Sequence, residues 1–138
     1  MVRIILGVIV GFVTWSIIWV GSDQVLMSIW PDWYGAHQTA FQLSMFNQTP
    51  FDPDRTILFM HLFRGVIVSL MAGFIAAVVA GENKRAPLAL GTLLFIFGAM
   101  VEAMAWSYLP IWYHVIFLAL LIPVTALGGK MKSSGGLR

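Results

Sequence analysis

The sequence predicts an all-helical membrane protein, a bundle of four transmembrane helices with one long outer loop. Of its 138 residues, 59% are hydrophobic and only 10% are charged, whereas about 25% of the residues of a soluble domain carry charge. Apolar runs of about 20 residues, the length that a helix needs to cross the hydrocarbon core, occur four times. The chain contains no cysteine, which excludes disulfides, thiolate metal sites and cysteine-based redox relays.

The four apolar runs define the predicted elements of a single integral membrane domain. The first run resembles a secretory signal, but its apolar core is too long and no small-x-small cleavage site follows, so we interpret it as a retained helix. The predicted helices cover residues 4–22, 57–80, 87–108 and 111–128. The predicted outer loop covers residues 23–56.

Lysine and arginine collect in the segments that share one side of the membrane if four helices alternate. Because basic residues favour the cytoplasmic side, we expect both termini in the cytoplasm and the loop outside. ENKRAPLALG at 82–91 and the LGGK ending at Lys130 resemble small bacterial membrane proteins, which implies no activity. We therefore expect a multi-pass protein of a bacterial inner (plasma) membrane. The basic residues on the predicted cytoplasmic side are Arg3, Lys84, Arg85, Lys130, Lys132 and Arg138.

The long connection is expected to have structure of its own, because so long a loop is unusual in so small a protein. The first helix can run past the membrane to about Trp30, where Pro31 forces the preceding residue out of the helical region. GAHQTAFQLSMF at 35–46 is weakly amphipathic and suits a helix lying on the outer membrane face. TPFDPD then predicts a turn, with Asp54 or Thr56 as the cap of the second helix.

A stripe of small residues predicts that the second helix lies at the centre of the bundle. Helices in lipid associate through close packing of small side chains, since burial from water does not drive them together. The stripe consists of Gly65, Ser69, Gly73 and Ala77.

Ionisable residues inside the predicted spans form the candidate site. A charge at the bilayer centre costs roughly 3 kcal/mol, so such a residue normally faces protein and finds a partner. At 1.5 Å per residue, Arg64 and Glu102 lie about 10 and 9 Å below the outer boundary, and we predict that they pair. The predicted polar cluster comprises Asp23, His61, Arg64, Glu102 and His114.

This cluster has a structural and a functional interpretation. The structural one is a buried ion pair that fixes helix register. The functional one is an outward-facing pocket roofed by the loop, in three versions. Arg64 and His61 hold an anionic head group, or Glu102 exchanges protons with Asp23 or a histidine, or His61 and His114 together hold a haem or another metal.

The residue patterns favour a protein that is not an enzyme. No nucleophile–base arrangement, phosphate loop or strong metal motif is present, and the few charges are not clustered as nucleic-acid binding requires. We expect an accessory or assembly subunit without a cofactor, whose partners are the bilayer and other membrane subunits. The alternatives are a small transporter or channel that uses the Arg64/Glu102 layer, and a haem-binding electron carrier. Small drug exporters also have four helices, but they carry a carboxylate in the first helix, where this sequence has none at mid-membrane.

Overall fold

The computed structural model describes residues 1–132, and within them the chain is helical without any β-strand. Four helices are long and apolar enough to cross a membrane, which confirms the predicted all-helical class and the four spans. Arg138 of the predicted basic tail lies outside the described residues. The five α-helices are α1 (Val2–Ile29), α2 (Ala36–Asn47), α3 (Arg55–Ala80), α4 (Arg85–Met104) and α5 (Ile111–Lys130), of which α2 is not a span.

The first helix extends beyond its predicted span, 4–22, and ends next to Trp30, as predicted. α1 has 28 residues, about 42 Å at 1.5 Å per residue, whereas the hydrocarbon core is about 30 Å thick. It ends at Ile29, and Trp30 leaves the helical conformation before Pro31, as expected for a residue that precedes proline. The predicted extension beyond residue 22 to about Trp30 is therefore confirmed, and Asp23 lies inside a helix.

The predicted loop 23–56 is mostly helical. After α1, a single π-helical turn, Pro31–Gly35, leads into α2, which confirms a helix in the predicted amphipathic segment. Within this connection, only Trp30 and residues 48–54 lie outside helices before α3. Asp54 caps α3, as predicted, because its side chain accepts hydrogen bonds from the backbone N–H groups of Thr56 and Ile57.

The helix α4, which corresponds to the third predicted span, 87–108, ends earlier than predicted. α4 stops at Met104, and a short 3₁₀ turn, Trp106–Tyr108, leads to an extended Leu109 before Pro110. The chain must reverse direction here within a few residues, and a residue before proline avoids the helical region. The predicted end at residue 108 was therefore too late.

Glycines let α1 and α5 approach the backbone of α3 closely. A Cβ added at Gly7 of α1 would lie 2.6 Å from the carbonyl oxygen of Ala76, and one at Gly73 of α3 would collide with the carbonyl oxygen of Thr125 in α5. The indole N–H of Trp15 donates to Ser69 Oγ over 3.0 Å. The small-residue stripe of α3 is buried along its whole length, so neighbouring helices pack on it directly.

The bundle has two different ends. At the terminal end, the chain starts and α3 turns into α4 at Gly81, where Arg3 Nε donates to the carbonyl oxygen of Val79. At the opposite end, the π-helical turn and α2 cover the helix ends. We call this second end the capped end. That it faces outwards stays a prediction.

Candidate functional site

Arg64 of α3 is buried at the capped end and bonded almost entirely to protein. Its Nε donates to Ser22 Oγ over 3.1 Å, and its Nη2 donates to the carbonyl oxygen of Trp19 over 2.8 Å. Its Nη1 donates to Tyr34 Oη at 2.8 Å and to His61 Nδ1 at 2.9 Å. A guanidinium has five N–H donors, so four are used here.

Asp23 supplies the counter-charge to Arg64. Its Oδ1 lies 3.8 Å from Arg64 Nη1, and it accepts hydrogen bonds from Tyr34 Oη over 2.6 Å and from Gln38 Nε2 over 3.2 Å. The guanidinium also lies 4.1 Å above the ring of Trp19, a cation–π contact. We call this group the Arg64 cluster. It consists of Trp19, Ser22, Asp23, Tyr34, His61 and Arg64.

The proton positions in this cluster follow from chemistry. Arg64 cannot accept a hydrogen bond, so His61 Nδ1 accepts and the neutral imidazole carries its proton on Nε2. Burial, reinforced by the hydrogen bond to Asp23, raises the pKa of Tyr34 well above its ordinary value. Tyr34 therefore stays protonated and keeps donating to Asp23.

Glu102 and His114 form a second, separate pair between α4 and α5. Glu102 Oε1 contacts His114 Nδ1, and His114 Nε2 donates to the carbonyl oxygen of Trp106 over 3.2 Å. The indole of Trp106 stacks on the imidazole with ring centres 4.4 Å apart. His114 is fully buried and Glu102 almost so.

The predicted Arg64–Glu102 pair is therefore wrong, and the five predicted residues fall into two groups. Arg64 bonds to α1, the π-helical turn and His61, while Glu102 bonds across the tight turn to α5. Counting residues from the membrane boundary gives depth only. It does not give rotation about the helix axis, which decides the partner.

The metal interpretation also fails to fit the geometry. His114 has Nε2 donating to Trp106 and Nδ1 against Glu102, so neither nitrogen is free, and His61 Nδ1 is taken by Arg64. Within residues 1–132, no group of three or more metal-ligating side chains exists. A haem or metal held by His61 and His114 would have to break the hydrogen bonds that both histidines make.

Sequence reasoning missed Ser22, Tyr34 and Gln38 as partners of the buried charges. The missed signal is that a buried guanidinium needs several acceptors, and two of these residues lie in the connection that was expected to roof the site. The π-helical turn, which places Tyr34, has no recognisable sequence pattern.

Two adjoining cavities lie between α1, α4 and α5 at the capped end. Their volumes are about 240 and 260 Å³, and both are lined by Trp19, Val101, Glu102 and Tyr113. We call the two cavities together the Glu102 cleft. Phe97 and Val101 line the cleft while remaining 43% and 44% exposed, so the cleft reaches the lipid-facing surface. The other lining residues are Trp15, Phe97, Gly98 and Phe117 in one cavity, and Gln38, Phe41, Met45, Met104, Ala105 and Leu109 in the other.

Two oxygen atoms in this cleft have no hydrogen bond. Neither Glu102 Oε2 nor Tyr113 Oη makes a hydrogen bond within residues 1–132. In that range the Thr125 hydroxyl is the only side-chain polar atom that is both fully buried and without a hydrogen bond. Both oxygens therefore keep some accessible surface. Glu102 and Tyr113 are otherwise buried and line both cavities, so we assign the accessible surface of these oxygens to the cleft.

Comparisons with protein-family models, with curated proteins and with solved structures find no match to this chain.

Proposed function

We propose that this chain is a non-enzymatic, multi-pass membrane protein with an accessory role, which binds a small amphiphilic molecule in the Glu102 cleft. The observation that carries the proposal is an aromatic cavity that reaches the lipid-facing surface and contains two unbonded oxygens. Ligand sites are typically apolar cavities with a few polar groups that orient the ligand.

The hydrogen bonds support a binding role over catalysis. Covalent catalysis needs a hydroxyl or another nucleophile beside a base. In residues 1–132 no histidine bonds to a serine or threonine hydroxyl. The Tyr34 hydroxyl lies 3.4 Å from His61 Nδ1, but it donates its proton to Asp23 and His61 Nδ1 accepts from Arg64. Ser22 and Ser69 instead bond to Arg64 and Trp15.

The Arg64 cluster supports a structural role for the buried charge. The protein supplies acceptors for four of the five N–H donors of Arg64, and Asp23 is its counter-ion. Little of the guanidinium therefore remains to bind a transported anion. The transporter alternative uses the Arg64/Glu102 layer, in which Glu102 exchanges protons with Asp23 or a histidine. Glu102 does contact His114, but Arg64 and Glu102 belong to two separate groups and do not form one layer of paired charges.

The proposal is tested by narrowing the cleft from its lipid-facing side. Val101 lines both cavities and is 44% exposed, so Val101→Trp fills the cleft without entering the core. Met100 is 63% exposed and lines neither cavity, which makes Met100→Trp the matched control.

Native mass spectrometry of protein purified in mild detergent gives the measurement. We expect a small amphiphile bound to the wild type and to Met100→Trp, with occupancy at least about tenfold lower in Val101→Trp, since a filled cleft excludes the ligand. A wild type that carries no such ligand, or equal occupancy in the two variants, contradicts the proposal.

A further inference from the structure

We infer that the ligand of the Glu102 cleft presents a neutral aromatic hydroxyl, as in a phenol or a quinol. The inference rests on the proposed function and specifies its ligand. It follows from the hydrogen-bonding capacity, the charge and the shape of the cleft.

The free oxygen of Glu102 is an acceptor wherever the shared proton sits. His114 Nε2 donates to Trp106, so His114 Nδ1 and Glu102 Oε1 share one proton. If this proton is on Nδ1, Oε2 belongs to a carboxylate. If it is on Oε1, Oε2 is a carbonyl oxygen. In both states Oε2 accepts and cannot donate.

Tyr113 adds a hydroxyl to the same cleft. Tyr113 Oη is unbonded within residues 1–132 and lines both cavities with Glu102, and a phenolic hydroxyl can donate. A ligand hydroxyl matches the two oxygens at once, because it donates to Glu102 and accepts from Tyr113. A carbonyl group has no donor for Glu102. An ammonium group could donate to both oxygens, since a phenolic oxygen also accepts, so it is disfavoured by its charge and not by its hydrogen bonds.

The charges favour a neutral head group. The Glu102–His114 pair has no net charge in either position of its proton, and Asp23 offsets Arg64 at 3.8 Å. A charged ligand would therefore bring an unbalanced charge into the membrane interior, which is costly.

The walls favour a flat ring. Trp15 and Trp19 stack with ring centres 5.2 Å apart, and Tyr113 and Phe117 stack at 5.9 Å. Both stacked pairs line the cavity of about 240 Å³. Aromatic walls favour stacked or edge-on contacts with another ring.

The test compares two probes that differ only in the group on the oxygen, which is a hydrogen in one and a methyl group in the other. 2-Naphthol can donate and accept, whereas 2-methoxynaphthalene can only accept. Binding is measured by equilibrium dialysis against protein in lipid nanodiscs, with protein-free nanodiscs of the same lipid subtracted. We expect the wild type to bind 2-naphthol about tenfold more tightly, the size of one hydrogen bond in a buried site.

Variants assign this preference to named atoms. Glu102→Met removes the acceptor at similar length and is expected to abolish the preference, while Glu102→Gln retains much of it, since the amide donates to His114 and presents its oxygen to the cleft. Tyr113→Phe is expected to weaken both probes, because both accept from Tyr113. Met100→Phe, outside the cleft, serves as control.

The outcomes separate the inference from the proposed function. Equal wild-type affinity for the two probes, with binding still lost in Val101→Trp, overturns the hydroxyl inference and leaves the proposed function standing. If neither probe binds in a saturable way, both the hydroxyl inference and the proposed function are overturned. If Glu102→Met does not fold, the wild-type comparison still decides, since it needs no variant.

Discussion

At the residue scale, the buried charge of this protein is bound by side chains and backbone that together satisfy it. Arg64 uses a hydroxyl, a phenol, an imidazole and a backbone carbonyl, and it has Asp23 as counter-ion. Tyr34 is central to this arrangement, because its hydroxyl accepts from Arg64 and donates to Asp23. Removing that hydroxyl leaves both ions short of a partner.

Tyr34→Phe should therefore destabilise the fold by roughly 1–3 kcal/mol, the cost of leaving buried polar groups unsatisfied. The measurement is reversible unfolding of the purified protein in mixed micelles. Tyr108→Phe is the control, because the Tyr108 hydroxyl makes no hydrogen bond within residues 1–132. Equal stability of the two variants would show that Tyr34 does not stabilise the cluster.

At the element scale, Asp54 joins the cap to the bundle. Its side chain accepts from the indole N–H of Trp33 over 2.8 Å and from Thr56 N over 2.9 Å. Its own backbone N–H donates to His37 Nε2 over 3.0 Å. One residue thus holds together the π-helical turn, α2 and the start of α3.

The carboxylate form of Asp54 makes these bonds, so stability should depend on pH. The hydrogen bond from Trp33, followed by those from the backbone of α3, lowers the pKa of Asp54 below its usual value. Because the folded-state pKa is the lower one, Asp54 stabilises the fold above about pH 4, and this contribution is lost as the pH falls through the folded-state pKa.

Melting temperatures in detergent at about pH 6 and about pH 3 provide the measurement. Asp54→Asn, which cannot ionise, should show a smaller fall on acidification than the wild type. Asp52→Asn, two residues earlier at an exposed position, should behave as the wild type does. A fall of the same size in Asp54→Asn would mean that another group causes the acid sensitivity.

The sequence allows the spans and the cap of α3 to be predicted, but it does not allow the pairing of the buried charges to be predicted. Spans follow from hydropathy and length, and a cap follows from an aspartate just before an apolar run. Arg64 was assigned to Glu102 because their depths match, yet most of its partners come from α1 and from a π-helical turn. Rotation about each helix axis depends on packing such as that of Gly7 against Ala76, which no single-sequence pattern contains.

At the scale of the whole molecule, the two ends of the bundle differ in charge and in structure. Among residues 1–132, the terminal end carries most of the basic residues, although Arg55 and Arg64 lie at the capped end, and the capped end carries most of the acidic ones. We therefore propose, from the rule that basic residues favour the cytoplasm, that the capped end faces outwards across a bacterial inner membrane.

Single cysteines test this orientation without interference, since the chain has no cysteine of its own. Thr49→Cys at the capped end and Lys84→Cys at the terminal end are both exposed positions. In intact cells, a membrane-impermeant maleimide should label Thr49→Cys alone, and both variants should react after the cells are opened. Labelling of Lys84→Cys in intact cells would reverse the orientation.

The position of these partners along the chain has a consequence for synthesis. Every partner of Arg64 precedes it: Trp19, Ser22, Asp23, Tyr34 and His61. Arg64 therefore emerges from the ribosome after the groups that satisfy it, whereas Glu102 emerges before its own partner, His114. The cation is accommodated as soon as α3 meets α1, whereas the acid stays unpaired until α5 has been made, so the cleft is completed only when α5 is in place.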